Sequence, residues 1–214
     1  MLVQLSSIEP KCLGSGFKPE PASSMLDRKG DRIMVKKAWQ YSGLDKSVTI
    51  RFKKIGNLGE YLAGKFLKES GFKNIKDLNK EESANTKDFD FIAERNKIKY
   101  AISVKTRNKY ENSATGPKLN SRYKLTKDPV NFAKDAKNKY NSEAAWIAIS
   151  LEIDKGVFNA YFGVLSDLNG NQKGINMSQK ATRKYEKLAL LRKFEDMGLA
   201  KSDYEGLKNE YKRA

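Results

Sequence analysis

The chain has 214 residues, 39% of them apolar and 10% aromatic, which is enough to bury a core and unlike a disordered chain. It carries a formal net charge of +16, no histidine and one cysteine, Cys12, so histidine-metal sites, Ser-His-Asp triads, Cys-His dyads and intrachain disulfides are all excluded. Acid–base chemistry must come from carboxylates, lysine, tyrosine or a metal-activated water. No apolar run approaches the length of a membrane span, and the N-terminus lacks the basic-then-apolar pattern of a signal peptide. A cytoplasmic, nucleoid-associated protein with no membrane partner is expected.

Residues 1–50 read as a partly irregular N-terminal extension, with Pro10, Pro19 and Pro21 in its first 30 residues. Short strands are conceivable at 33–35 and 48–50. From Ile55 the pattern is clear: Ile55, Leu58, Leu62 and Phe66 recur at three- and four-residue spacing, predicting an amphipathic helix of roughly 15 residues closed by Gly71. Glu60 falls on the flank of its apolar stripe, where a side chain can reach past the edge of whatever the helix packs on. A short strand is expected over 72–78 and a polar loop over 79–87. Residues 88–105, DFDFIAERNKIKYAISVK, then read as a β-hairpin: Asp88 and Asp90 open an apolar run, a polar turn follows at 94–97, and a second run leads to Lys105.

Residues 106–128 are polar and basic, with Gly116-Pro117 as a turn. A helix is predicted over 130–140, with Asp128-Pro129 at its start. AAWIAISLEI (144–153) reads as a strand central in a sheet, and 157–165 as another. A long helix over 178–197 and a short one over 204–212 complete the reading. The domain assignment is thus an extension (1–50), a core (51–170) and a helical tail (171–214).

Charge is clustered. Residues 95–140 hold 13 lysines and arginines against three acids, with Tyr100, Tyr110, Tyr123 and Tyr140 interleaved. A basic stretch around Lys105 suits a polyanion. Arg107, Lys109, Lys118, Arg122 and Lys124 are the candidate phosphate contacts, which position nucleic acid without reading its sequence. Stacking on bases is open to Tyr110 and Tyr123, but core or surface packing is the favoured reading for both.

An acid on one strand beside a lysine on its neighbour can hold a divalent metal and a phosphate together. Three segments carry this chemistry: GNLGEYLAGKFLKESGF (56–72) with Glu60, Asp90-Phe91-Ile92-Ala93, and Ile102-Ser103-Val104-Lys105-Thr106. In order and spacing they resemble the PD-(D/E)XK nuclease superfamily, the fold shared by type II restriction endonucleases and archaeal Holliday-junction resolvases. The resemblance covers roughly residues 54–165. It implies a restriction-endonuclease-like α/β fold, a mixed central sheet flanked by helices with an αβββαβ core.

It also implies a Mg2+-dependent endonuclease hydrolysing DNA phosphodiester bonds, with Mn2+ as a substitute cofactor and Glu60, Asp90 and Lys105 as catalytic residues. One position departs from the pattern: the acid two residues before the lysine is Ser103, a neutral and weaker ligand. The ligand set implied here is Asp90, Glu60 as the substitute acid, and the backbone carbonyl of Val104. Asp88 shares a face with Asp90 by period two and is either an outer partner of the site or solvated. The partner implied is double-stranded or branched DNA, and a homodimer fits an enzyme that must cut two strands. The alternative is a catalytically inactive nucleic-acid-binding protein on the same fold, with Ser103 as its mark.

Overall fold

Helix α1 (Lys46–Glu69) organises one face of the molecule. Leu62, Ala63, Phe66 and Leu67 are fully buried, with Ile55 and Leu58 nearly so. Burying a leucine or phenylalanine completely contributes roughly 1.5–3 kcal/mol each, so this stripe is the main anchor of the helix. The helix ends at Gly71, whose φ of +77° is the left-handed conformation that glycine adopts freely. There the Phe72 N–H reaches back to the Leu67 carbonyl at 3.0 Å, closing the last turn.

The computed structural model describes residues 25–26, 32–33, 46–81, 88–113, 116–168 and 174–207. The irregular stretch expected over the first 30 residues, apart from 25–26, most of the 79–87 loop and the end of the helix expected over 204–212 lie outside them. In chain order the elements are β1 (Met25–Leu26), β2 (Arg32–Ile33), α1, β3 (Lys73–Asp77), α2 (Leu78–Glu81), β4 (Phe91–Arg95), β5 (Ile98–Asn108), β6 (Tyr110–Ser113), β7 (Gly116–Leu119), β8 (Arg122–Lys124), α3 (Pro129–Tyr140), β9 (Glu143–Glu152), β10 (Val157–Val164), β11 (Gly174–Asn176), α4 (Gln179–Thr182), β12 (Glu186–Lys193) and α5 (Lys201–Tyr204).

Six strands form one mixed sheet in the order β12-β10-β9-β5-β4-β3. Only β5 and β9 run parallel, and the connection between them carries α3; the other pairs are antiparallel. The run α1, β3, β4, β5, α3, β9 is the expected αβββαβ order. β9 is buried along almost its whole length, as an apolar run between two strands should be. The β4–β5 hairpin turns on Asn96 and Lys97, both at positive φ (54° and 66°), the twist that a two-residue hairpin loop needs. Helix α3 starts on Asp128, whose carboxylate accepts the Asn131 N–H at 3.0 Å, with Pro129 in the first turn.

Two cores result, one on each face of the sheet. Against α1 lie Phe91, Tyr100, Ile102, Ile147, Phe158 and Phe194. Against α3 lie Phe89, Tyr123, Phe132, Trp146, Ile175 and Met177. On β5 the even residues Tyr100 and Ile102 belong to the first core and Ala101 to the second, so alternation puts Ser103, Lys105 and Arg107 on the α3 face.

Two expectations are corrected. Residues 48–50 are the first turns of α1, not a strand: β-branched residues cost only a fraction of a kcal/mol each in a helix, and the amphipathic segment behind them decides. The long helix over 178–197 is replaced by the single turn α4, the strand β12 and a 3-10 turn at Glu195–Met197. Of its leucines, Leu190 and Leu191 are exposed while Ala189 is buried, a strand pattern interrupted by a bulge opposite Phe158–Ala160. β12 pairs with β10, and Phe194, Met197 and Tyr204 behind it join the first core, so this part of the chain is built into the sheet and its packing.

Gly59 is where α1 touches the sheet most closely. A Cβ there would sit 1.7 Å from the Thr106 hydroxyl oxygen on β5. Gly59→Ala should therefore push the helix away and destabilise the protein by about 1–3 kcal/mol in thermal and urea melts, with part recovered by adding Thr106→Ala.

Candidate functional site

β4 begins at Phe91, opposite Ile102, so among the described residues β5 continues from Ser103 to Asn108 with no strand paired on that side. Asp90 stands at this break. Its backbone N–H donates to the Ile102 carbonyl at 2.8 Å, and its carboxylate accepts the Val104 N–H at 2.7 Å. The side chain thereby replaces the next rung of the ladder. The second carboxylate oxygen accepts the Asn79 amide at 3.1 Å. In an antiparallel register the N–H and carbonyl of one residue face the same side, so the Val104 carbonyl also points toward Asp90.

Lys105 follows on β5 and is half-buried. Burial pushes its ammonium well below the usual lysine range. The Asp90 carboxylate pulls it back up, Arg107 pushes it further down, and Asp88 and Glu60 add weaker upward pulls. One ammonium thus senses all three acids considered for the site. Glu60 is half-buried on α1, directly after the glycine that presses on Thr106. The structure therefore places Asp90, Val104 and Lys105 side by side where β4 ends, with the Glu60 carboxylate on α1 near enough to act weakly on the Lys105 ammonium.

Asp88 is engaged elsewhere: its carboxylate lies 2.6 Å from the Lys127 ammonium and accepts the Thr126 hydroxyl at 3.0 Å. Lys127 also meets Asp135 of α3 at 2.5 Å. Asp88 ties the entry to β4 to the loop before α3. Glu94 accepts the Asn74 amide at 2.8 Å at the far end of β4.

Ser103 is fully buried, and register and alternation place it beside Trp146 and across from Asp90. Among the described residues, the Ser103 hydroxyl, the Thr106 hydroxyl and the Trp146 indole N–H are buried without a hydrogen-bond partner. Also among the described residues, no three acids are grouped closely enough to cage a metal. Oxygen donors such as the Asp90 carboxylate and the Val104 carbonyl could hold a hard cation such as magnesium, which takes one or two carboxylates and fills its shell with waters and phosphate oxygens.

The basic residues divide. Arg107, Lys118, Arg122 and Lys124 are exposed on the exit of β5, on β7 and on β8. Arg122 and Lys124 flank the buried Tyr123 and so point outward together. Lys109 is tied down by an ion pair at 2.7 Å with the buried Glu152, which also meets Lys155 at 3.0 Å. Burial pushes the Glu152 carboxyl up, but the two ammoniums outweigh it and hold it below the usual range. Tyr123 belongs to the second core; its hydroxyl donates to the Arg107 carbonyl at 3.4 Å.

Sequence reasoning missed two contributors. Asn79, which orients Asp90, follows β3 and is held by its own N–H on the Asp77 carboxylate at 2.9 Å. The first turns of α1 bring Phe52 under the Arg107 guanidinium, 5.6 Å from its ring centre. Phe52 set among Arg51, Lys53 and Lys54 was the available signal for the second; nothing local announces the first. Among the described residues, no helix is long and apolar enough to cross a membrane.

The electrostatics can be checked by following the Lys105 ε-carbon and its protons with pH by NMR. Asp90→Asn removes the strongest upward pull and should lower the lysine titration further. Arg107→Gln removes a repulsive neighbour and should raise it. The folded ammonium titrates below the unfolded one, so the cost of burying it is present at neutral pH and fades as pH rises toward the ordinary lysine value of about 10.4.

No family model matches the chain, and no curated protein matches it. Among solved structures it is similar to Hjc, a Holliday junction resolvase from the archaeal hyperthermophile Archaeoglobus fulgidus, at 17% sequence identity and a TM-score of 0.40, covering 67% of this chain and 100% of that one.

Proposed function

We propose that the chain is a magnesium-dependent endonuclease that hydrolyses DNA phosphodiester bonds, with Glu60, Asp90 and Lys105 as its catalytic residues. The observation that carries this reading is the Asp90 carboxylate held on the Val104 N–H where β4 ends, one residue before the half-buried Lys105. A surface lysine that only solubilises would be fully hydrated; this one is kept partly dry, where charge acts more strongly.

Asp90, Glu60 and the Val104 carbonyl would hold Mg2+, or Mn2+ in its place. When bound, the ion supplies positive charge to the phosphate and makes a nearby water more acidic. The Val104 N–H and the Asn79 amide fix the Asp90 carboxylate in one orientation, so it needs no rearrangement when substrate arrives. Lys105 donates to the phosphate or to the attacking water and neutralises charge that develops on the phosphoryl oxygens. The water oxygen forms the new bond to phosphorus, the bond to one sugar oxygen breaks, and that oxygen leaves with a proton. Arg107, Lys118, Arg122 and Lys124 hold the flanking phosphates. Lys109 serves the scaffold through Glu152.

Ser103 favours a second reading, a nucleic-acid-binding protein that does not cut. Its buried hydroxyl without a partner stands where the resembling family has an acid.

Plasmid incubated with magnesium separates the two. Cleavage is expected in the wild type and a loss of about a hundredfold or more in Asp90→Asn and Lys105→Met, the scale on which a charge-stabilising group acts. Binding of DNA in EDTA should persist in both variants and fall steeply between 50 and about 200 mM salt. Cleavage that survives both substitutions sinks the assignment, and binding without cleavage in the wild type selects the second reading. Calorimetry on Glu60→Ala should show weakened magnesium binding; unchanged affinity removes Glu60 from the ligand set.

A further inference from the structure

Two aromatic side chains stand exposed where β5 leaves the candidate site. Phe52 on α1 is 36% exposed, and its ring centre lies 5.1 Å from the Arg51 guanidinium and 5.6 Å from that of Arg107. Tyr110, the first residue of β6, is 48% exposed, with the Lys109 ammonium 5.5 Å from its ring centre. Opposite Tyr110 in the β6–β7 register is Leu119, itself 39% exposed, which widens the apolar face. Arg107 and Tyr110 are three residues apart, about 10 Å along an extended chain.

Single exposed apolar residues need no explanation. Here, however, both rings border the same basic stretch, Arg107 beside Phe52 and exposed Lys118 next to Leu119 opposite Tyr110 are the cations there to follow phosphates, Lys109 is held on Glu152, and Tyr123, the aromatic between Arg122 and Lys124, is buried. Aromatic faces set among cations are the pattern by which proteins hold unpaired nucleotides: bases stack on the rings while the cations follow the phosphates. A continuous duplex offers its phosphates and base edges but keeps its base faces stacked internally, so it could use the cations and leave both rings idle. The +16 charge of the chain supplies the complementary field.

We infer that Phe52 and the Tyr110–Leu119 pair are stacking platforms for unpaired bases of DNA, so the substrate carries a single-stranded segment next to the bond that is cut. The inference rests on the DNA-cleaving reading above and narrows its substrate. Arg107, two residues beyond Lys105 on β5, lies against Phe52 and three residues before Tyr110, so a phosphate at Lys105 would have both rings on the same flank.

The test is binding by fluorescence anisotropy in EDTA, with a labelled 12-nucleotide DNA single strand and the duplex of the same sequence as probes. Phe52→Ala and Tyr110→Ala should each weaken single-strand binding roughly tenfold and change duplex binding less than about threefold. Tyr110→Phe should keep the single-strand affinity, and in Phe52→Trp the new indole emission should be quenched by the single strand and not by the duplex. Unchanged single-strand affinity in both alanine variants, or equal losses on the two probes, overturns the inference and leaves the endonuclease reading standing. A wild type that binds neither probe overturns both. Because these probes are read without metal, selective stacking in a protein that, given magnesium, cuts neither plasmid nor a duplex bearing a single-stranded flap supports the base-stacking platforms and removes the endonuclease assignment.

Discussion

The hydrogen bond from the Val104 N–H to the Asp90 carboxylate is the constraint on which the site depends. A β-strand that outruns its neighbour leaves backbone groups without partners, and these must be satisfied by something. Here a side chain takes the vacant rung at 2.7 Å. The substitution has three effects at once. It fixes a carboxylate at the edge of a buried sheet, it leaves β5 open beyond Ser103, and it sets a negative charge close enough to Lys105 to offset part of that ammonium's desolvation.

The remainder of the architecture holds this break rigid from both faces. α1 presses on Thr106 through Gly59, and α3 is tied to the entry of β4 through Asp88, Lys127 and Asp135. At the opposite end of the sheet, the Arg95 guanidinium lies 4.2 Å from the Phe72 ring centre and 5.0 Å from that of Phe162 while bonding both oxygens of Glu186 at 2.6 Å. The partnership with Glu186 raises its pKa against the cost of burial. This contact joins the end of β4 to the beginning of β12, strands separated in the sheet by three others, so the sheet curls far enough to bring them together. The residues after β12 continue the closure: the Tyr61 hydroxyl and the Lys65 ammonium both donate to the Met197 carbonyl, at 3.1 and 2.9 Å, and the Asn108 amide donates to that of Leu207 at 3.2 Å.

Legibility in the sequence followed the range of the forces involved. The buried stripe of α1, the β4–β5 hairpin and the apolar run of β9 are local patterns with one physical reading each, and all three were visible. The segment 186–193 was not, because Tyr185, Leu188 and Leu191 fall at helical spacing by coincidence; its conformation is set by pairing with β10, which no local pattern encodes. The same holds in the site. Asp90 and Lys105 could be found because strand order brings them together. Asn79, Phe52 and the diversion of Lys109 onto Glu152, 43 residues away, depend on tertiary packing alone. Ser103 was visible as a departure, but only its burial beside Trp146 shows that its hydroxyl has no partner among the described residues.

The bulge in β12 bears on how molecules of this chain meet one another. β12 is the outer strand of the sheet, and a regular edge presents a row of backbone groups on which another chain can extend the sheet. At Leu191 the backbone turns to a φ of +47° and its N–H is drawn onto the Asn159 side chain at 2.8 Å. The edge is therefore kinked in its middle and has no continuous ladder to offer, even though Leu190 and Leu191 lie exposed beside it. A lysine- and arginine-rich protein with bare leucines on an open sheet edge would otherwise carry a template for polymerisation; a single left-handed residue breaks it.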